Sequence, residues 1–141
     1  MPKKVEVNAI FNNSKKIADY INVLLYFEND LIAVLNSDWI SPYKEHRFSV
    51  LGSKGSLIFD DTKDWPDKLI VNPSYFNKEK KIIYSPEKAI AILDEEPLKK
   101  EIEEFLQCIE NTHKPTTDIN EAVNVQVVLD MIDKRLKEKY R

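Results

Sequence analysis

Hydrophobic periodicity changes once along this chain, and the change limits what it can fold into. From Lys4 to about Leu93 the apolar residues follow the two-residue period of β-strands. From Pro97 onward they recur at helical spacing. The strand segments expected are Lys4 to Phe11, Asp19 to Glu28, Leu31 to Trp39, His46 to Leu51, Ser56 to Phe59, Leu69 to Val71, Lys81 to Tyr84 and Ala89 to Leu93. Asn29 and Asp30 form a two-residue connection between the second and third, since both tolerate left-handed backbone. Pro97 opens a first helix carrying Leu98, Ile102, Phe105, Leu106 and Ile109, with Glu95 and Glu96 favourably placed against its dipole. The stretch Asn111 to Pro115 breaks it. Asp118 and Glu121 then make a capping-box-like start for a second helix, running to about Lys139.

Two apolar stripes mark that second helix. Val125, Val128, Leu129 and Ile132 lie on one side, and Val123, Val127 and Met131 on nearly the opposite side. A helix apolar on two sides must be covered on two sides. The strand Asp19 to Glu28 is likewise apolar on both faces: Ile21, Val23, Leu25 and Phe27 point one way, Tyr20, Leu24 and Tyr26 the other. Surface tolerance of valine and tyrosine is the plainer account. Each such side chain is worth about 1.5–3 kcal/mol when buried, so we expect a second chain to cover the free sheet face.

The 141 residues contain two glycines, Gly52 and Gly55, in LGSKGSLIFDD. A dinucleotide fingerprint needs three, opening a helix after a strand. A Walker loop needs lysine after its second glycine, and here Ser56 follows. Strand-like sequence flanks the pair on both sides, so Gly52-Ser53-Lys54-Gly55 is expected to be a hairpin turn and not a cofactor loop.

Charge and composition exclude further classes. With 21 basic and 24 acidic residues the net charge is -3, which favours neither nucleic acid nor an anionic membrane as a partner. No apolar run is long enough to span a bilayer, and Met1 to Lys4 lacks a following apolar region of the signal-peptide kind. One cysteine, Cys108, excludes an internal disulfide and suits a reducing compartment, so a cytoplasmic location is expected. Cys108 falls in the helical pattern beside Phe105 and Ile109, as a small half-buried side chain would. Together with His46 and His113 it lacks zinc-ligand spacing, so no metal site is expected. A cation at Asp60, Asp61 and Asp64 ranks low, because loop carboxylates are usually solvated.

The segment that stands out is Ser37 to Arg47, SDWISPYKEHR. Trp39 and Tyr43 interleave with Lys44, His46 and Arg47 at a strand end. That mixture suits a sugar ring and an anionic phosphate or carboxylate. Residue chemistry by itself leans to the plainer alternative, a surface loop packed by one tryptophan.

Three stretches in order, DYINVLLYFENDLIAVLNSDWISPYKEHR, FSVLGSKGSLIFDD and EEPLKKEIEEFLQCIENTHKPTTDINEAVNVQVVLDMID, resemble the C-terminal domain of the Gfo/Idh/MocA family of NAD(P)-dependent sugar and cyclitol oxidoreductases. The resemblance runs from about Val5 to Leu136. The segment from Pro42 to Trp65 is most similar to members acting on UDP-N-acetylglucosaminuronic acid and related nucleotide sugars. The resemblance implies a single domain over 1–141 of α+β class: an open, largely antiparallel (mixed) β-sheet with helices packed on one face, of the GAPDH-like C-terminal type. That agrees with strands first and helices last.

The resemblance also implies a division of labour. The family's cofactor-binding Rossmann domain and its catalytic Asp and His would lie upstream of Lys3, so no catalytic or cofactor-binding residue carries over. Lys44 is the position that transfers as a substrate contact, with Trp39 and Arg47 as weaker neighbours. NAD(P) belongs to the full-length family and not to this chain. The implied partners are a UDP-sugar, a second copy meeting the open sheet face, and a Rossmann domain supplied upstream or in trans. A non-enzymatic module that self-associates or pairs with a complete oxidoreductase is the alternative.

Overall fold

A computed structural model describes residues 1–13 and 16–140. The chain gathers into two compact units. The first comprises 1–42 and 104–141, the second 43–103.

In the first unit, β1 (Lys4–Ile10), β2 (Tyr20–Tyr26) and β3 (Ile32–Asp38) form an antiparallel sheet in that order. Asn29 and Asp30 both adopt left-handed backbone, with φ of 60° and 59°. The hairpin they serve has three residues and not two: Glu28 joins them, and Phe27 N–H donates to Leu31 O at 2.9 Å. Register puts Val5, Leu25 and Ala33 in one row and Val7, Val23 and Leu35 in the next, on the same face. The helix α2 (Ile119–Tyr140) covers that face with Val128, Met131, Ile132 and Leu136. Val5, Val7, Val23 and Leu25 are buried beneath it.

This covering stripe corrects the two stripes read from the sequence. The sheet takes Val128 and Ile132 from one and Met131 from the other, while Val123, Val125, Val127 and Leu129 stay exposed. Length explains the exposed end. Twenty-two helical residues extend about 33 Å, against about 23 Å for a seven-residue strand, so α2 overhangs. Its N-terminus is capped as expected, Asp118 Oδ1 accepting from the amides of Asn120 at 2.8 Å and Glu121 at 3.2 Å. Its other end guards the open edge of β1. Lys139 Nζ donates to Val7 O at 3.0 Å, and Ala9 N–H donates to the Tyr140 hydroxyl at 3.0 Å.

In the second unit, β4 (Arg47–Gly52), β5 (Gly55–Asp60), β6 (Leu69–Asn72) and β9 (Lys88–Ala89) make a second antiparallel sheet in that order. β7 (Tyr75–Phe76) and β8 (Ile82–Ile83) make a separate hairpin. β7 lies outside the strand segments expected from the sequence. Gly52 pairs with Gly55 across a two-residue turn, as expected. Gly55 has φ of 140°, and a Cβ there would stand 2.5 Å from Asn72 O. The boundary between the units falls inside α1 (Pro97–Asn111), which begins at Pro97 as predicted and leaves Leu98, Ile102, Phe105 and Ile109 exposed. The fold class is α+β, with open antiparallel sheets and, among the described residues, two α-helices. Among the described residues no helix is long and apolar enough to cross a membrane.

Candidate functional site

At the end of β3 the chain turns at Asp38, whose Oδ1 accepts from the amides of Ile40 at 3.1 Å and Ser41 at 2.7 Å. Trp39 sits on this turn with 65% of its surface exposed. Its indole Nε1–H donates to Asp19 Oδ1 at 3.0 Å. Asp19 is 1% exposed and opens β2 from the other side of the hairpin. It also accepts from the backbone amides of Asn12 at 2.5 Å and Asn13 at 2.9 Å, and from the Asn13 side-chain amide at 2.9 Å. Those donors, the Asn13 backbone foremost, then its side chain and the indole, hold the Asp19 carboxyl down at about 2. A satisfied buried anion thus pins the polar edge of an indole whose ring faces water. An aromatic plane held in this way is suited to stacking on an apolar ligand face.

The loop 43–46 belongs to the second unit. Tyr43 and Lys44 are exposed, and Lys44 makes no hydrogen bond or ion pair among the described residues. Arg47, by contrast, is engaged. Its Nη2 and Nε donate to Asp60 Oδ2 at 3.1 and 3.3 Å. Asp60 is buried and accepts from the Thr62 hydroxyl at 2.6 Å and the Thr62 amide at 3.0 Å. Thr62 first, and Arg47 after it, keep the Asp60 carboxyl at about 2. Asp61 pairs with Lys68 at 2.8 Å and with His46 at 3.2 Å, which lowers its carboxyl, Lys68 contributing most. These acids are thus directed at side-chain cations and a hydroxyl and not at one another, which gives the low-ranked cation site at Asp60, Asp61 and Asp64 no shared focus.

Of the three residues expected to contact substrate, Trp39 lies in the first unit and Lys44 and Arg47 in the second. Trp39 and Arg47 are each tied to a buried aspartate of their own unit, while Lys44 has no partner among the described residues. Sequence reasoning missed both aspartates. Asp19 carries no local signature beyond being polar at the mouth of an apolar strand, and Asp60 read as one solvated loop acid among three.

The uncovered face of the first sheet carries a second feature that sequence reading missed. Register aligns Asn8, Asn22 and Asn36 in one row across all three strands. Asn8 Nδ2 donates to Asn22 Oδ1 at 3.4 Å, and Asn22 Nδ2 to Asn36 Oδ1 at 2.8 Å. Lys139 closes the row at one end, 2.7 Å from Asn8 Oδ1, and the Tyr20 hydroxyl closes it at the other, 3.1 Å from Asn36 Oδ1. Ile32 and Val34 are exposed on the same face, beside half-buried Leu24 and Tyr26. Among the described residues the Asn36 side-chain amide is the row's remaining donor, open to an acceptor on whatever covers this face.

The model of the C-terminal alpha/beta domain of the Gfo/Idh/MocA oxidoreductase family matches residues 1–140. The chain belongs to this family. No curated protein matches this Gfo/Idh/MocA domain in sequence. Among solved structures it is similar to UDP-N-acetylglucosamine 3-dehydrogenase GnnA from Acidithiobacillus ferrooxidans, with a TM-score of 0.71 and 16% identity. The match covers 96% of this chain and 39% of that one. It is also similar to the protein described as "putative oxidoreductase yvaA from Bacillus subtilis", with a TM-score of 0.66 and 19% identity over 99% of this chain and 45% of that one. At such identities the likeness establishes the fold. The chain spans about two fifths of the length of these two proteins.

Proposed function

We propose that this Gfo/Idh/MocA domain binds substrate and mediates oligomerisation for an NAD(P)-dependent oxidoreductase whose substrate is a sugar, specifically a nucleotide sugar. The observation that carries the reading is the match of the family's C-terminal domain along residues 1–140. The nucleotide-sugar class draws support from the fold likeness to a UDP-N-acetylglucosamine 3-dehydrogenase.

In such a reaction a hydride leaves a carbinol carbon of the sugar for the nicotinamide, and the hydroxyl proton passes to a base. Neither the base nor the cofactor cradle is assigned to this chain. Both of its glycines are spent on the β4–β5 hairpin, so it has no glycine fingerprint for a pyrophosphate. What the chain offers is recognition. Lys44, unpaired among the described residues, supplies a cation for a phosphate or a uronate carboxylate. Trp39 supplies a fixed aromatic plane for a sugar face. Arg47 is already balanced by Asp60, so its role is to position the start of β4. For oligomerisation, the uncovered face of the first sheet joins exposed Ile32 and Val34 to a hydrogen-bonded asparagine row, a surface that a second copy can cover.

Calorimetric titration of UDP-N-acetylglucosaminuronic acid into the chain tests the recognition role. Saturable binding is expected, weakened at least tenfold in Lys44→Ala, with no saturable binding of NAD. Binding that ignores Lys44→Ala removes the assigned contact, and saturable NAD binding to the isolated chain overturns the division of labour. Self-association without any UDP-sugar binding favours the alternative, a non-enzymatic interaction module.

A further inference from the structure

The end of α1 holds a constellation that the oxidoreductase reading does not use. Glu104 and Cys108 are one turn apart on the helix and so project from one face. The helix stops at Asn111, Thr112 takes a left-handed φ of 56°, and the chain doubles back, returning the His113 ring to that face. Cys108 Sγ lies 3.4 Å from His113 Nε2. Glu104 Oε1 lies 3.6 Å from the same nitrogen and 3.9 Å from the sulfur.

Those three separations have the dimensions of a coordination polyhedron. A tetrahedral zinc ion, bonded at about 2.3 Å to sulfur and about 2.0–2.1 Å to nitrogen and oxygen, sets its ligand atoms roughly 3.3–3.6 Å apart. Edge by edge, the ideal separations are about 3.5–3.6 Å for sulfur to nitrogen or oxygen and about 3.3–3.4 Å for nitrogen to oxygen. The observed 3.4, 3.9 and 3.6 Å lie within about 0.4 Å of them, a gap that small side-chain rotations close. A nucleophilic triad needs a different arrangement. There the imidazole uses one nitrogen toward the thiol and the other toward the carboxylate. Here Nε2 alone faces both, so three electron-pair donors converge on one point. Thr116, on the following loop, steadies the carboxylate, its hydroxyl 3.3 Å and its amide 3.4 Å from Glu104 Oε1. Outer support of this kind is what metal-binding side chains require.

We propose that Glu104, Cys108 and His113 bind a divalent transition-metal cation of the zinc class, leaving a fourth coordination position for water or an exogenous donor. A thiolate, an imidazole and a carboxylate form a borderline-soft set that selects Zn²⁺ or Co²⁺ over the oxygen-seeking Mg²⁺ and Ca²⁺. On binding, the Cys108 proton passes to the buffer. Glu104 and Cys108 are half-buried and His113 is exposed, so an ion has access. Coordination would fasten the end of α1 to the loop that leads into α2. The site shares no residue with Trp39, Lys44 or Arg47, so it stands independently of the substrate assignment. Cysteine and histidine spacing in the sequence does not reveal the site, because its third donor is a glutamate.

The test is metal titration of the 141-residue chain, calorimetric for Zn²⁺ and Mg²⁺ and by absorption for Co²⁺. One Zn²⁺ per chain is expected, undisturbed by excess Mg²⁺. Because Cys108 is the chain's single cysteine, a thiolate-to-cobalt charge-transfer band reports on it alone. Cys108→Ser should abolish that band. His113→Ala and Glu104→Gln should each weaken Zn²⁺ binding at least tenfold, and Thr116→Val by about tenfold. Circular dichroism of the metal-free variants checks that each is folded. The proposal fails if the folded wild-type chain binds no Zn²⁺ saturably, or if a Cys108→Ser, His113→Ala double variant binds it equally well.

Discussion

Trp39 and Asp19 meet across the first sheet's hairpin, the indole N–H donating to a carboxylate that is almost wholly buried, at 3.0 Å. The contact joins the loop before β2 to the turn after β3, because the same carboxylate accepts from Asn12 and Asn13. Replacing Asp19 by alanine leaves these donors without their shared acceptor. We expect Asp19→Ala to lower Tm by about 5 °C or more, given that broken buried networks are among the costlier lesions. Trp39→Phe, which removes one donor and keeps the ring, should cost less. Thermal melts of the two variants check the order, and equal losses would show that the indole and not the carboxylate is the anchor.

Acid stability follows from two residues of opposite units. Asp19 and Asp60 both titrate at about 2 in the folded chain, below the ordinary carboxylate range. Between roughly pH 4 and pH 2 the unfolded chain therefore binds more protons than the native one. Their stabilisation is complete above that window and drains away as pH falls through it. Urea midpoints measured at successive pH values should drop steeply there, and Asp19→Asn should make the drop shallower. A midpoint constant across the window would contradict the hydrogen-bonding pattern described for both carboxylates.

The two glycines are not equivalent. A methyl group on Gly55 would meet backbone atoms of Asn72 and Pro73 at 2.5 and 3.0 Å, at a backbone angle that L-residues rarely adopt. One on Gly52 would find its nearest neighbour, Gly55 O, at 3.4 Å. Gly55→Ala should destabilise the chain by about 1–3 kcal/mol, and Gly52→Ala by no more than about 0.5 kcal/mol. Denaturant unfolding of both variants separates the two expectations.

The faces of the first sheet should respond differently to substitution. Leu25→Ala removes core beneath α2 and should cost about 2–5 kcal/mol. Val34, on the uncovered face, is 59% exposed, so Val34→Glu should leave the isolated fold within about 0.5 kcal/mol. If a second copy covers that face, the same Val34→Glu change should shift sedimentation from dimer to monomer. A wild-type chain that remains monomeric at high micromolar concentration would remove the oligomerisation part of the proposal.

Much of this architecture is local and was legible in the residues. Alternation placed most of the strands. Pro97 and Asp118 fixed where the helices begin, and Asn29, Asp30 and the glycine pair fixed two of the turns. Each such rule operates within a few neighbouring residues, where backbone sterics and side-chain period decide the outcome. The substrate candidates Trp39, Lys44 and Arg47 were legible as residue types, but not Arg47's engagement with Asp60.

Only tertiary structure decided the rest. Register, a property of paired strands, set Asn8, Asn22 and Asn36 in one row. Packing chose which of α2's apolar residues the sheet would take, since both stripes were equally apolar in sequence. Asp19 acquired its indole partner, and Glu104, Cys108 and His113 their common focus, through chain reversals that no periodic pattern encodes. Period is written into neighbouring residues, whereas convergence depends on how far and in which direction the chain returns.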